Sequence, residues 1–404
     1  MTRTIEELKQ ENGVRCMMML EDGIPMYYPT LFVSVELRHF SVSRQRNMLY
    51  CIEVLFNWCQ SEHIDLEELF KRGDHLSENE ILRLLDFCSW TVNTQLRVVE
   101  GVKLLPSAYE QVSKETAAQR IQAIRSYLNF LYLRLAKRKD KADIARSATQ
   151  TIKSYKPKLK RHTKNKSVSL SEEQINVIIE KLLPSHPSNP WRDPEIQLRN
   201  LLIFSVFYET GMRRGELAGL YVGDVKGAEI SIYRRHNNPL ETRKQAPSAK
   251  TGERTIPIPD HLALLIDEYV LNHRGLIKAA KKHPYLFVSH GRNKGAPLSL
   301  NAITEVFKVA RKAYPALKDI TPHDLRHHMN YRISMMIDNE YKDALPADKA
   351  IADQEVRSYL MGWSPDGKMQ ETYNKRYSIE KAGEMLVKRS NKLSKKEDDA
   401  SKKT

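Results

Sequence analysis

The chain has 404 residues, enough for two or three domains that each bury a core of their own. Hydrophobic residues make up 41% and charged residues 28%, as in ordinary globular proteins, and no run of about eighteen apolar residues exists that would span a membrane. The formal net charge of +15 favours a polyanionic partner, usually a nucleic acid, with an anionic membrane surface as the rival.

The first residues and the cysteines both indicate a cytoplasmic protein. Met-Thr-Arg-Thr-Ile-Glu-Glu carries acids where a secretory signal would carry its apolar region. The cysteines have neither C-x-x-C spacing nor clustered histidines, which is typical of reduced core thiols rather than of disulfides or a metal site. They are Cys16, Cys51, Cys59 and Cys88.

The first part of the chain is predicted to be helical after a short extension. Residues 1–39 form this N-terminal extension, in which Val14 to Leu20, a Glu-Asp-Gly turn and Met26 to Leu37 predict a small hairpin. Apolar residues then recur at helical spacing over 43–64, 65–72, 77–91 and 115–137. We therefore expect residues 40–137 to form an all-helical domain.

A strongly basic segment follows. Between Lys137 and Lys166 stand twelve Lys or Arg and two Asp, which is +10 of the chain's +15, and few large apolar residues. Such a composition cannot bury a core and predicts an exposed interdomain linker over 138–168, serving either DNA contact or solubility alone. If it lies along DNA, counterion release makes binding salt-sensitive. The candidate DNA-binding residues are Lys153, Lys156, Lys158, Lys160, Arg161, Lys164 and Lys166.

A second domain is expected over 169–388, before a charged tail at 389–404 that we expect to be disordered. Its first helix starts at a capping-box pair, Ser171 and Gln174. A helix from Pro194 to Thr210 should end at a glycine, Gly211.

The remainder of this domain predicts the fold class. A further helix is predicted at 212–220. Three short strands follow at 229–234, 254–258 and 285–289, and the chain after them is predicted to be helical again. The fold class is therefore mainly α with a small antiparallel β-sheet, or α+β.

The sequence Thr-Pro-His-Asp-Leu-Arg-His-His at 321–328 is the most informative motif. Pro322 suits a first helical turn, and His323 and Arg326, at i and i+3, lie on one helix face. A forked cation beside a proton-transfer group suits chemistry on a phosphodiester, although a helix start with solvated charges would look the same. His323 and His327 also suit zinc, but no third ligand follows at a recognisable spacing, so no metal site is predicted.

Three further motifs accompany this one. Thr-Gly-Met-Arg-Arg-Gly-Glu-Leu at 210–217 puts Arg213 beyond a helix-ending glycine, with Glu216 able to orient it. Ala-Lys-Thr-Gly-Glu-Arg at 249–254 puts Lys250 at a turn into a strand. Gly-Trp at 362–363 precedes Tyr373 in Glu-Thr-Tyr-Asn-Lys-Arg-Tyr.

Each of these residues also has a plainer interpretation. Arg213 could equally be a surface cation, and Lys250 a solvated lysine of a hairpin. Trp363 could be an aromatic residue of the core, and Tyr373 a packing residue. The competing candidates are Arg214, Lys244, Tyr359 and Tyr377.

In this order and with these neighbours, the four motifs resemble the tyrosine recombinase, or phage integrase, family. The resemblance covers Ser171 to Ser378 strongly, as the catalytic domain. It covers 40–137 weakly, as the family's helical, SAM-like core-binding domain, which binds DNA.

The resemblance implies a role for each residue. Arg213 and Arg326 would grip the scissile phosphate, Lys250 would protonate the departing 5′ oxygen, and His323 would assist proton transfer. Trp363 stands where relatives have His or Trp, and Tyr373 is similar to the nucleophile.

Two features depart from the family pattern. Tyr373 follows Trp363 by one residue more than in relatives, which leaves Tyr377 as the second choice of nucleophile. The interval from Arg326 to Gly362 is longer than usual, and its excess at 338–353 is polar and acidic, which predicts an exposed insertion.

The function implied is site-specific DNA recombination or integration through a 3′-phosphotyrosine intermediate, by a tetramer on two double-stranded DNA sites. Such an enzyme needs no cofactor, metal ion or ATP, and the sequence has neither a phosphate-binding G-x-x-x-x-G-K-[ST] loop nor an acidic cluster for two metals. By analogy with the family it would integrate or excise a mobile element, in the bacterial cytoplasm at the nucleoid. The alternatives are a type IB-like topoisomerase and a catalytically decayed DNA-binding regulator or architectural protein.

Overall fold

The computed structural model describes residues 2–102, 104–155, 157, 169–247 and 251–363. The chain divides into two compact units, Met1–Thr163 and Lys164–Thr404, which are considered separately. Among the described residues, no helix combines the length and apolar character needed to cross a membrane.

The first unit opens with a three-stranded antiparallel sheet, β1 (Arg3–Lys9), β2 (Arg15–Glu21) and β3 (Ile24–Pro25), in that order. Arg3 lies opposite Glu21, and β2 turns Met17 and Met19 into the core. The turn predicted after β2 is present, but the hairpin prediction is wrong in its second half. Residues after Met26 form helix α1 (Tyr27–Glu36), because its apolar residues are spaced to bury a helix face rather than one side of a strand.

This sheet and α1 belong to the core of the first unit, so they are not an appended extension. Phe32, Val33 and Leu37 join the same buried cluster as the later helices. These later helices are α2 (Val42–Glu62), α3 (Leu66–Lys71), α4 (Glu78–Ser89), α5 (Val92–Val99), α6 (Lys114–Leu135) and α7 (Lys141–Ser154). Helix α6 packs against α1 to α4 and α7.

Helix α7 corrects the expectation that all of 138–168 is an exposed linker. Ala145 and Ile152 are buried and belong to the core of the first unit, and Lys141 donates from Nζ to the carbonyl of Leu133 at 2.7 Å. A small residue and one β-branched residue, two turns apart, are enough to dock a helix whose other faces are charged. Residues 158–168 lie outside the described residues.

The second unit is helical around a small sheet. Strands β4 (Val225–Lys226), β5 (Glu229–Ile232) and β6 (Arg254–Pro257) are antiparallel in that order. The strand expected at 285–289 is not part of this sheet; Tyr285 and Val288 form isolated bridges, to Tyr221 and Pro297. The helices are α8 (Glu172–Asn176), α9 (Pro194–Thr210), α10 (Arg214–Gly219), α11 (Asp260–Glu268), α12 (Leu300–Ala313), α13 (Pro322–Glu340) and α14 (Pro346–Met361).

The last two helices contain the segment expected to be an exposed insertion. Most of 338–353 is exposed, as expected, and the segment forms the end of α13 and the first half of α14. Ala352 and Asp353 are buried, and Lys349 forms an ion pair with Asp338 that joins the two helices. The tail at 389–404 lies outside the described residues.

Candidate active site

Arg213 stands at the start of α10 because α9 ends sharply in front of it. Asp193 and Pro194 begin α9, and Gly211 ends it with φ of +59°. That left-handed conformation suits glycine, and a Cβ here would lie 2.8 Å from the Cβ of Met329. The chain therefore turns within two residues and presents Arg213 at the N-cap of α10, with its side chain about one third exposed.

Glu216 is the buried acid that organises this helix start. It accepts a hydrogen bond from the backbone N–H of Arg213 at 2.9 Å, and its carboxylate lies 3.6 Å from the Arg213 guanidinium. It also accepts from Nη2 of Arg254 at 2.8 Å and from the Thr251 hydroxyl. Burial alone would raise the pKa of Glu216, but the Arg254 charge and these hydrogen bonds outweigh it, so the pKa is lowered and the carboxylate stays ionised.

The β5–β6 hairpin is tied to the end of α14. Gly252 donates its backbone N–H to the carbonyl of Gly362 at 2.9 Å, and Nε of Arg254 donates to the carbonyl of Leu360 at 2.8 Å. Gly362 ends α14 with φ of +61°. The strand hairpin, the start of α10 and the segment that carries Trp363 therefore meet.

Arg326 joins the same segments from α13. Thr321 caps this helix with Asp324, and Pro322 occupies its first turn, as the sequence predicts. Arg326 is only 2% exposed, and its guanidinium is hydrogen-bonded inside the protein. It donates from Nη1 to the carbonyl of Gly211 at 2.7 Å and from Nη2 to that of Met361 at 2.9 Å. These carbonyls stand two residues before Arg213 and two before Trp363.

Two aromatic groups complete the described part of the site. The Trp363 ring lies 5.7 Å from the Arg326 guanidinium, within cation–π range. His323 is exposed one turn before Arg326, with its ring edge-on to His327 at 4.2 Å between centroids. The partly exposed guanidinium of Arg213 and the exposed imidazole of His323 are groups that can bind a phosphodiester and move a proton.

Several predicted residues fall outside the described part of the chain. They are Lys250, Tyr373 and Tyr377 of the catalytic set and Lys156, Lys158, Lys160, Arg161, Lys164 and Lys166 of the basic segment. Lys153 is described, and it is exposed in the last turn of α7.

The structure adds residues that sequence reasoning did not assign. Arg254 and Thr251 hold Glu216 from the sheet side, and His328 accepts the Leu170 N–H at its Nδ1, 3.1 Å away. Burial lowers the pKa of His328 to about 4, so it is a neutral structural histidine. No sequence signal distinguishes it from His327. Within the described ranges, no group of three or more His, Cys, Asp or Glu side chains could hold a metal ion.

Parts of the chain are similar to known proteins. Residues 169–337 match the model of the phage integrase family. The chain is 30% identical over 219 residues to the tyrosine recombinase XerD of Halalkalibacterium halodurans. This alignment covers 54% of this chain and 62% of that protein. It is also 31% identical over 161 residues to the tyrosine recombinase XerA of Pyrococcus furiosus, in an alignment that covers 39% of this chain and 45% of that protein. The matches thus span less than two thirds of these relatives.

A solved structure supports the fold. The Tn1549 transposon integrase in complex with transposon right end DNA aligns over 90% of this chain and 100% of that one, with a TM-score of 0.50 and 14% identity. At that identity the likeness concerns the fold alone. Over residues 169–337 the chain thus resembles the phage integrase family, and it is similar to proteins named tyrosine recombinases.

Proposed function

We propose that this protein is a site-specific DNA recombinase that breaks and rejoins strands through a 3′-phosphotyrosine intermediate. The observation that supports it best is Arg326, a buried guanidinium bound to carbonyls two residues before Arg213 and two before Trp363. The comparisons agree, since relatives are named tyrosine recombinases and one similar structure is an integrase with transposon DNA.

The chemistry follows from the charge that develops on the phosphate. Attack by a tyrosine oxygen adds negative charge to the equatorial phosphate oxygens, and guanidiniums held in advance stabilise that state more than the ground state. Arg213 and Arg326 serve this role, and the forked geometry of arginine suits it better than lysine. Two fixed carbonyls hold Arg326, so little reorganisation is needed when DNA binds.

Tyr373 is the proposed nucleophile, with Tyr377 as second choice. A tyrosine with an ordinary pKa of about 10 needs a cationic pocket or a base at neutral pH. The arginines supply the positive field and His323 the proton acceptor, while Lys250 would protonate the 5′ oxygen as it leaves. The phosphotyrosine ester keeps the bond energy, so rejoining requires neither ATP nor a metal ion.

The biological setting completes the proposal. A tetramer of this chain would act in the cytoplasm on two duplex sites and integrate or excise a mobile element. The basic residues from Lys153 to Lys166 would contact DNA phosphates.

The test uses labelled duplexes from the ends of the element that encodes the protein, in EDTA and without ATP. Recombinant joints between two duplexes support the proposal. Relaxation of supercoiled plasmids lacking the site would favour a topoisomerase instead. Tight binding without cleavage would favour a regulator.

A further inference from the structure

A buried polar network connects α13 and α14 behind Arg326. Arg357, in α14, is 1% exposed, and its guanidinium pairs with the carboxylate of Asp353 one turn earlier. The same guanidinium donates from Nη1 to the carbonyl of Asn330 at 2.9 Å and from Nη2 to the hydroxyl of Ser334 at 2.7 Å. Asn330 and Ser334 lie on α13.

Asn330 carries the connection to the candidate active site. Its Nδ2 donates to the carbonyl of Arg326 at 2.9 Å and contacts Sδ of Met361 at 3.2 Å. Met361 in turn offers its carbonyl to Nη2 of Arg326. The contacts therefore lead from Asp353 through Arg357 to Asn330. Asn330 in turn touches both Arg326 and Met361, the two residues joined by the hydrogen bond from Nη2 of Arg326.

The spacing of these residues allows the network to fix the register of α14 against α13. On α13, Arg326, Asn330 and Ser334 follow at intervals of four residues; on α14, Asp353, Arg357 and Met361 do the same. The neighbouring contact between the helices is apolar and small, formed by Met329, Ile333, Ile337 and Met361. Apolar surfaces tolerate sliding, whereas a buried guanidinium with five donors requires all its acceptors at once.

A shift of α14 would move the groups that act on DNA. Met361 lies one turn after Arg357 and two residues before Trp363, so its carbonyl and the Trp363 ring move with α14. Asp353 ends the segment whose role the sequence does not indicate, and its carboxylate compensates the buried charge of Arg357.

We propose that the Asp353–Arg357–Asn330 network positions Arg326 and Trp363 for strand cleavage by fixing the register of α14 against α13. Arg357 is a positioning residue, since it acts through Asn330 and Met361. The inference rests on the proposed function and assigns a role in it to the 338–353 segment.

The experiment compares Arg357→Leu with Arg274→Leu on a nicked suicide DNA substrate under single-turnover conditions at saturating protein. Arg274 is a matched control, because it is also buried and donates to three backbone carbonyls, those of Ala280, His283 and Tyr285, away from this network. Both variants should lower the melting temperature. Arg357→Leu should also slow cleavage at least tenfold with the Kd for DNA within about threefold, whereas Arg274→Leu should cleave at the wild-type rate.

A second substrate separates positioning from stability. A methylphosphonate at the scissile position lacks one of the anionic oxygens that Arg326 would hold, so the penalty of Arg357→Leu should shrink on it. Arg357→Lys, which keeps the pair with Asp353, should cleave faster than Arg357→Leu. Wild-type cleavage by Arg357→Leu, or an equal penalty on both substrates, would overturn the inference. Absence of cleavage by the wild-type protein would instead overturn the proposed function on which it rests.

Discussion

Glu216 and Arg254 form an ion pair that is almost fully removed from solvent, with 2.8 Å between Oε2 and Nη2 and side-chain exposures of 0% and 1%. The pair joins the start of α10 to strand β6. Because Glu216 also accepts the Arg213 N–H, the β-sheet side of the second unit fixes the helix start that carries Arg213.

Glu216→Gln should destabilise the second unit strongly. It leaves the buried Arg254 charge without a counterion, which typically costs about 3–5 kcal/mol. The free energy of unfolding from urea titration measures the loss. Glu305→Gln, which breaks an exposed pair with Lys308, should change that free energy by at most about 0.5 kcal/mol. An equal effect of the two variants would contradict the role of Glu216.

Stability should fall on mild acidification because of His328. Its pKa in the folded protein is about 4 against an ordinary 6.5, so between these values the unfolded chain binds more protons. The contribution is complete above pH 6.5 and decreases as the pH falls towards 4. His328→Gln should show a shallower decline in unfolding free energy between pH 7 and pH 5 than the wild type. Half-buried His75 has a similarly lowered pKa and contributes equally in both proteins. Identical slopes for the two proteins would refute the assignment to His328.

Arg326→Lys should abolish most cleavage while DNA binding persists. A lysine cannot hold both the Gly211 and Met361 carbonyls and also a phosphate, and loss of one preorganised donor typically costs about 100-fold or more in rate. Single-turnover cleavage measures the effect. The control is Arg332→Lys on the same helix, where the arginine pairs with Glu209, and it should cleave at nearly the wild-type rate.

The basic segment should determine the salt dependence of DNA binding. Replacing the seven cations from Lys153 to Lys166 by Gln should reduce the slope of log Kd against log salt by about 0.9 for each phosphate that the protein no longer neutralises. Gel-shift titration at several salt concentrations gives the slope. The triple replacement of exposed Lys278, Lys281 and Lys282 by Gln should leave it nearly unchanged. Unchanged slopes in both proteins would show that the segment serves solubility alone.

The features that sequence predicts well here are local ones. The end of α9 at Gly211 and the start of α13 at Pro322 follow from backbone preferences of single residues, and both are confirmed. The Ser171 and Gln174 capping box is confirmed for the same reason. Such signals depend on neighbours in the chain, so no tertiary information is needed to see them.

The features that the sequence does not reveal are those that depend on partners distant in the chain. Charge alone makes α7 look like a linker, because two buried side chains, Ala145 and Ile152, are too weak a periodic signal among so many cations. Arg254 and Arg357 look like surface residues until Glu216 and Asp353 are found beside them. Buried charges are paired by tertiary structure, and sequence spacing does not reveal the partner.

Covalent capture tests most directly whether the site around Arg213 and Arg326 directs a tyrosine onto DNA. Wild-type protein, Tyr373→Phe and Tyr377→Phe are incubated with a suicide substrate nicked near the cleavage point, and adducts are resolved on a denaturing gel. Peptide mapping of the adduct then identifies the attached residue.

We predict adducts with wild type and Tyr377→Phe, attachment at Tyr373, and none with Tyr373→Phe. Loss of the adduct in Tyr377→Phe alone would reassign the nucleophile to Tyr377 while keeping the mechanism. Tight binding of the site by the wild-type protein without any adduct would contradict the claim.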